Sequence, residues 1–150
     1  MKVRRLLLLL GLLVTAGSAA WANNIASGSC KNGTWVIIDS GKLIVNITGK
    51  MADYGEGKAP WYAYRDQITE IYIDSNCKNI GRNAFYGLYG VTEVTGGSGV
   101  ESVAMYAFEG CGGGFGDEYV PIPQIYFPKC SYVGECAFAY NRFQQRKSSQ

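Results

Sequence analysis

Three stretches of this chain can be laid under one another. They are Ile68-Thr-Glu-Ile71 with Ile80-Gly-Arg-Asn-Ala84-Phe85, Val91-Thr-Glu-Val94 with Val103-Ala-Met-Tyr-Ala107-Phe108, and Ile122-Pro-Gln-Ile125 with Val133-Gly-Glu-Cys-Ala137-Phe138. Phe108 follows Phe85 by 23 residues and Phe138 follows Phe108 by 30, the excess falling in the Gly-rich run from Gly110 to Gly116 and the residues just after it. A period in the low twenties is the sequence mark of a solenoid. No repeat in such an array buries its own apolar face, so each supplies one strand and one return segment, and the core exists only between stacked neighbours. Architectures of this kind usually bind rather than catalyse.

The spacing inside each repeat assigns its faces. Ile68, Ile71 and Ile73 point into the predicted core, so Glu70 and Tyr72 point out, as do Glu93 with Thr95 and Gln124 with Tyr126. Strands stacked in parallel at ~4.8 Å turn these six side chains into a ladder. The ladder is the predicted ligand-binding surface, because Tyr at two of its three outer positions is a residue favoured in binding patches. Tyrosines that only cover their own strands through cross-strand contacts are the plainer alternative. The second half of each repeat makes the return, with Ala84, Ala107 and Ala137 small enough for close approach and Phe85, Phe108 and Phe138 forming a spine.

A different pattern precedes the repeats. Trp35 and Ile37 alternate with Val36 and Ile38, Asp39-Ser40-Gly41 has turn chemistry, and Leu43, Val45 and Ile47 alternate with Ile44 and Asn46. That is a β-hairpin. The first turn of a solenoid has no neighbour on its outer side, so residues 23–67 are expected to form an N-terminal β-hairpin cap, followed by the repeat array over 68–141.

The chain opens with a basic head, Met-Lys-Val-Arg-Arg, then the apolar run Leu6 to Val14, then Ala20-Trp21-Ala22. Order and length read as a cleaved secretory signal peptide over 1–22, too short to span a bilayer core of ~30 Å. No transmembrane anchor is expected, and the polar stretch 142–150 reads as a tail. Of 14 basic residues the leader holds Lys2, Arg4 and Arg5, leaving 11 against 12 acidic ones. The exported chain is therefore near neutral and a poor partner for nucleic acid.

Export places the five cysteines in an oxidising compartment, where disulfides form. Alignment favours another role. Cys77, Val100 and Cys130 share one position, and Cys111 aligns with Leu88, so three cysteines stand where an apolar residue is wanted. Two strand spacings would also hold Cys77 and Cys130 ~10 Å apart, beyond the ~7 Å reach of a bridge. They are expected to be buried thiols, with Cys30 and Cys136 the least constrained to that role.

There is no His, which removes the usual general base, the usual zinc ligand and the paired nucleophiles. Cys130 and Cys136 lack the spacing of a zinc site. Asp117-Glu118 are adjacent carboxylates in a Gly-rich insertion, and Gly110 to Gly116 has no Lys-Ser/Thr to make a phosphate loop. No enzyme activity, catalytic residue, metal or cofactor is predicted. The insertion, with Phe115 and Tyr119, is a second candidate surface because loops often carry function.

Cys77-Lys-Asn-Ile80-Gly-Arg-Asn-Ala84-Phe85 and Glu109-Gly110-Cys111 resemble the leucine-rich repeats of BspA-type surface proteins. Ser27-Gly-Ser-Cys30 through Trp35, Gly49-x-Met51-x-Asp53-Tyr54 and Pro60-Trp61 are similar to the region that precedes repeats in that family. Gly96-Gly97 at the end of the second strand, and Ala104 where Gly81 and Gly134 stand, depart from the pattern. The resemblance implies a leucine-rich-repeat solenoid, with a short parallel β-sheet and irregular or short helical return segments. It further implies a secreted or surface-exposed, non-catalytic binding module of host-associated bacteria, some members of the family being adhesins. The ligand expected at the ladder is a host protein or glycan. The structural alternative is self-association, a homodimer pairing through an uncapped C-terminal edge.

Overall fold

The computed structural model describes residues 23–113 and 125–141. The leader over 1–22, the tail over 142–150, and Phe115, Asp117, Glu118, Tyr119 and Gln124 of the insertion lie outside the described residues.

Strand β1 (Asn24–Cys30) pairs antiparallel with β2 (Gly33–Ile38), and β2 with β3 (Lys42–Ile47). The expected hairpin is thus β2 and β3, flanked by a further strand. Strand β3 then serves a second time, as a parallel partner of β5 (Glu70–Ile73), which pairs with β7 (Glu93–Gly96). This five-stranded sheet has the order β1-β2-β3-β5-β7. Leu43, Ile71 and Val94 meet in register on its inner face, and all three are buried.

The return segments differ from expectation. Instead of irregular or short helical chain they carry a second parallel sheet of β4 (Gly49–Lys50), β6 (Cys77–Ile80), β8 (Ser102–Val103) and β9 (Tyr132–Val133). A single turn of 3-10 helix, Tyr62–Tyr64, is the helical content among the described residues. The physical reason is the stacking of successive returns, whose backbones bond to one another, as where β6 lies between its neighbours. Its backbone pairs in parallel with β4 on one side and β8 on the other. Beyond this sheet the chain turns through left-handed residues at Asn83, Tyr106 and Cys136, each two positions before a Phe of the spine. Backbone bonds then link successive returns, Phe85 N–H to Ala107 O at 2.7 Å and Phe108 N–H to Ala137 O at 2.8 Å.

Between the two sheets lies one continuous apolar core. Its axis is a column of rings. Trp61 stacks on Phe85 at 5.7 Å, Phe85 on Phe108 at 4.9 Å, and Phe108 on Phe138 at 5.3 Å. The Phe spine read from the sequence is therefore present and begins one ring earlier, at Trp61, whose indole N–H donates to Ala84 O at 2.7 Å. Ala84, Ala107 and Ala137 are buried beside it.

Strand β7 ends at Gly96, and Gly97 follows it, both with positive φ, at 76° and 70°. A Cβ on Gly96 would fall 2.1 Å from Ile73 O, and one on Gly97 would fall 2.5 Å from the ring of Phe127. The glycine pair thus bends the chain and leaves room for Phe127, 6.2 Å from Phe108. Residues 125–127 run past this bend without joining the first sheet.

Candidate functional site: the outer face of the first sheet

Pairing of β3, β5 and β7 builds two rungs on the outer face. One is Lys42, Glu70 and Glu93; the other is Ile44, Tyr72 and Thr95. Four of the six residues expected in the ladder therefore do stand side by side. Glu70 and Thr95 are half-buried, Glu93 is exposed, and Tyr72 is 37% exposed. Tyr126 is 75% exposed but lies outside any strand, past the glycine bend, and Gln124 is outside the described residues.

Lys42 and Ile44, from the hairpin, were missed as ladder members. Their alternation with Leu43 and Val45 was visible, but the parallel pairing that sets them beside Glu70 and Tyr72 is a long-range contact with no local signal. The Lys42 ammonium lies 3.2 Å from the Glu70 carboxylate. Glu93 sits directly across from Glu70, and like charges on opposed strand positions repel. The ion pair of Lys42 is therefore with Glu70, while Glu93 stands one strand further out, next to a partly exposed tyrosine ring. Such a face favours a partner that brings a positive group and a surface to cover the ring.

Other tyrosines are held in place on the return side. Tyr86 donates to Glu56 at 2.6 Å, Tyr89 donates to Asp66, and the Arg65 guanidinium sits 4.7 Å over the ring of Tyr62. The bond to Glu56, followed by burial and nearby charges, pushes the Tyr86 hydroxyl up to about 12 from 10.0.

The cysteines divide by position. Cys77 and Cys111 are buried as apolar residues, Cys30 and Cys130 are half-buried, and Cys136 is exposed. Burial, the largest cause, pushes the Cys77 thiol up to about 11 from 9.0; a backbone hydrogen bond at Asn79 opposes it, and the charges of Asp74 and Cys30 add to it. Burial alone drives Cys111 upward. Among the described residues no group of three or more His, Cys, Asp or Glu is placed to hold a metal ion, and no helix is long and apolar enough to cross a membrane.

The family model for the BspA-type leucine-rich repeat region matches residues 59–143, more than half of the chain, in six copies. The chain belongs to the BspA-type leucine-rich-repeat family. Its match begins at residue 59, ahead of Ile68, near the Trp61 that heads the ring column. No curated protein matches the chain. A solved structure, a leucine-rich repeat protein from Eubacterium ventriosum ATCC 27560 determined at 2.50 Å, is similar at 27% identity with a TM-score of 0.51. The match covers 80% of this chain and 25% of that one, so the chain spans about a quarter of its neighbour's length. The fold is accordingly leucine-rich-repeat-like, mostly strand with almost no helix, and its sheets are open. Membership points to a protein-interaction module, and no catalytic role is indicated.

Proposed function

We propose that this BspA-type chain is an exported, non-catalytic recognition module that binds a protein partner through the outer face of its first sheet, in the manner of an adhesin. The observation that carries the proposal is the Glu70, Glu93, Tyr72 and Thr95 patch, where two carboxylates face each other across neighbouring strands, Lys42 pairs with Glu70, and a partly exposed ring stands beside them. A basic or aromatic epitope on the partner would relieve the carboxylate repulsion and cover Tyr72. The leader over 1–22 supplies the route out of the cell, and the three strands at the N-terminal end act as the cap of a short solenoid. Tyr126, strongly exposed beyond the glycine bend, extends the same patch if a ligand follows the chain.

Binding of the purified chain to immobilised host matrix proteins and glycans, with a Tyr72→Ala, Glu93→Ala variant beside it, tests this. Binding that weakens in the variant and in high salt is the expected outcome; a ligand bound equally well by both proteins removes the ladder from the proposal.

A second reading has its own observation. Ile80, Val103 and Val133 occupy one register position, and the first two are fully buried while Val133 is 54% exposed. With Tyr126, Tyr132 and Tyr140 it makes four of the six large exposed apolar residues among those described, all on the last repeat. Edge strand β9 carries two of them, Tyr132 and Val133, and a second copy pairing there would cover both. Light scattering over a range of concentrations is expected to show a dimer on this reading, and a monomer throughout would dismiss it.

A further inference from the structure

The second sheet presents its own outer face, and across it runs an open groove of about 410 Å³. Pairing places Lys50, Asn79, Ser102 and Tyr132 in one row, one residue from each of the four parallel strands. At ~4.8 Å per strand the row is roughly 14 Å long. Asp53, Lys78, Glu101 and Ala104 complete the walls. Asp53 is held by accepting the Arg82 backbone N–H at 2.8 Å, and the exposed Lys78 and Glu101 lie 3.9 Å apart.

The chemistry of these walls narrows the occupant. Two lysines and two carboxylates leave the groove without net charge, so neither a polyanion nor a basic peptide finds a field that favours it. Ala104 is the one aliphatic side chain in the lining, so there is no apolar socket for the side chains of a peptide. What the groove offers is a close mixture of donors and acceptors: an amide at Asn79, a hydroxyl at Ser102, carboxylates at Asp53 and Glu101 and ammonium groups at Lys50 and Lys78. At one end stands the ring of Tyr132, 62% exposed. A sugar ring needs that combination, because each hydroxyl both donates and accepts while the C–H face of the pyranose lies against an aromatic plane.

We infer that the groove over the second sheet is a binding site for a short uncharged oligosaccharide lying across the strands, with Tyr132 as its stacking platform and Asn79 and Ser102 as its central hydrogen-bonding pair. The site is on a different sheet from the Glu70 and Tyr72 ladder and stands or falls apart from it.

The test uses the full purified chain with maltotriose, cellotriose and chitotriose as uncharged probes, and a heparin hexasaccharide and a Lys-rich decapeptide as charged ones. Saturation-transfer NMR detects binding and titration calorimetry measures it, for the native chain and for the Tyr132→Ala, Tyr132→Trp, Asn79→Ala and Tyr72→Ala variants. Expected is binding of at least one uncharged trisaccharide that is insensitive to salt, weakened about tenfold or more by Tyr132→Ala and Asn79→Ala, kept by Tyr132→Trp and unaltered by Tyr72→Ala. Unchanged thermal melts for the exposed Tyr132 variants would separate loss of binding from loss of fold. Binding of only the charged probes, binding of none, or binding indifferent to both Tyr132→Ala and Asn79→Ala would overturn the inference.

Discussion

Phe108 has a ring on each side of it in the column, Phe85 at 4.9 Å and Phe138 at 5.3 Å, with Phe127 at 6.2 Å. Its replacement by Ala leaves a void that three neighbours line, and a buried Phe→Ala change costs roughly 3 to 5 kcal/mol. Denaturant unfolding of Phe108→Ala should show that loss; a variant as stable as the native chain would contradict the column. The cysteines add a pH-dependent term. Cys77 and Cys130, aligned in the sequence, both place Sγ 3.3 Å from the carbonyl oxygen two residues on, Asn79 and Tyr132. That contact needs the protonated thiol. With Cys77 at 9.0 unfolded and about 11 folded, the folded state holds a proton that the unfolded state releases above pH 9. Its contribution is therefore complete below pH 9 and is lost as pH rises towards 11. Cys77→Val, copying Val100 of the middle repeat, should be near neutral at pH 7 and lose less stability than the native chain between pH 9 and 11, as chemical denaturation at several pH values would show. The three Phe rings of the column and the buried Cys77 and Cys111 were legible from alignment alone. The exposure of Cys136 was not, because it depends on which side of the last repeat has a neighbour.

Among the elements, β7 and its glycine end show best how one local choice redirects the chain. Gly97 has φ at 70° and the Phe127 ring against its α-carbon. Ala at such a φ costs about 1 to 2 kcal/mol from the backbone alone, and here the methyl group would also displace Phe127. Gly97→Ala should therefore destabilise by more than the backbone term, and a double-mutant cycle with Phe127→Leu should recover part of it. Strictly additive costs would mean that the ring does not pack on the glycine. The hairpin of β2 and β3 was readable because alternation and turn chemistry are local signals. The sheet of β4, β6, β8 and β9 was not, since strands of two to four residues carry too little alternation to be told from irregular chain. Only the stacking of successive returns, through bonds such as Gly134 N–H to Val103 O at 2.8 Å, turns them into strands.

At the scale of the molecule, the buried residues form one cluster from Trp35 to Ala137, with no apolar break between the N-terminal strands and the last repeat. A core shared in this way predicts a single cooperative transition. Trp35 and Trp61 report on the N-terminal end, where their rings lie 6.2 Å apart, and far-ultraviolet dichroism reports on all strands. The two urea curves should coincide. An earlier loss of dichroism than of Trp burial would mean that the repeats unfold by themselves, as weakly coupled arrays do.

The amino-acid sequence by itself determined the repeat, its two spacings, the inward and outward faces of β2, β3, β5 and β7 and the three Phe rings of the column, because all of these follow from side-chain periodicity along the chain. It also carried the family resemblance, since the same periodic positions define the family. Tertiary structure alone decided that β3 joins the hairpin to the repeats, that Lys42 stands beside Glu70, that the returns pair as a second sheet with a groove across it, and that Val133 is exposed where Ile80 and Val103 are buried. Each of these depends on which strand has a neighbour and on which side, a contact between distant residues that no local pattern encodes.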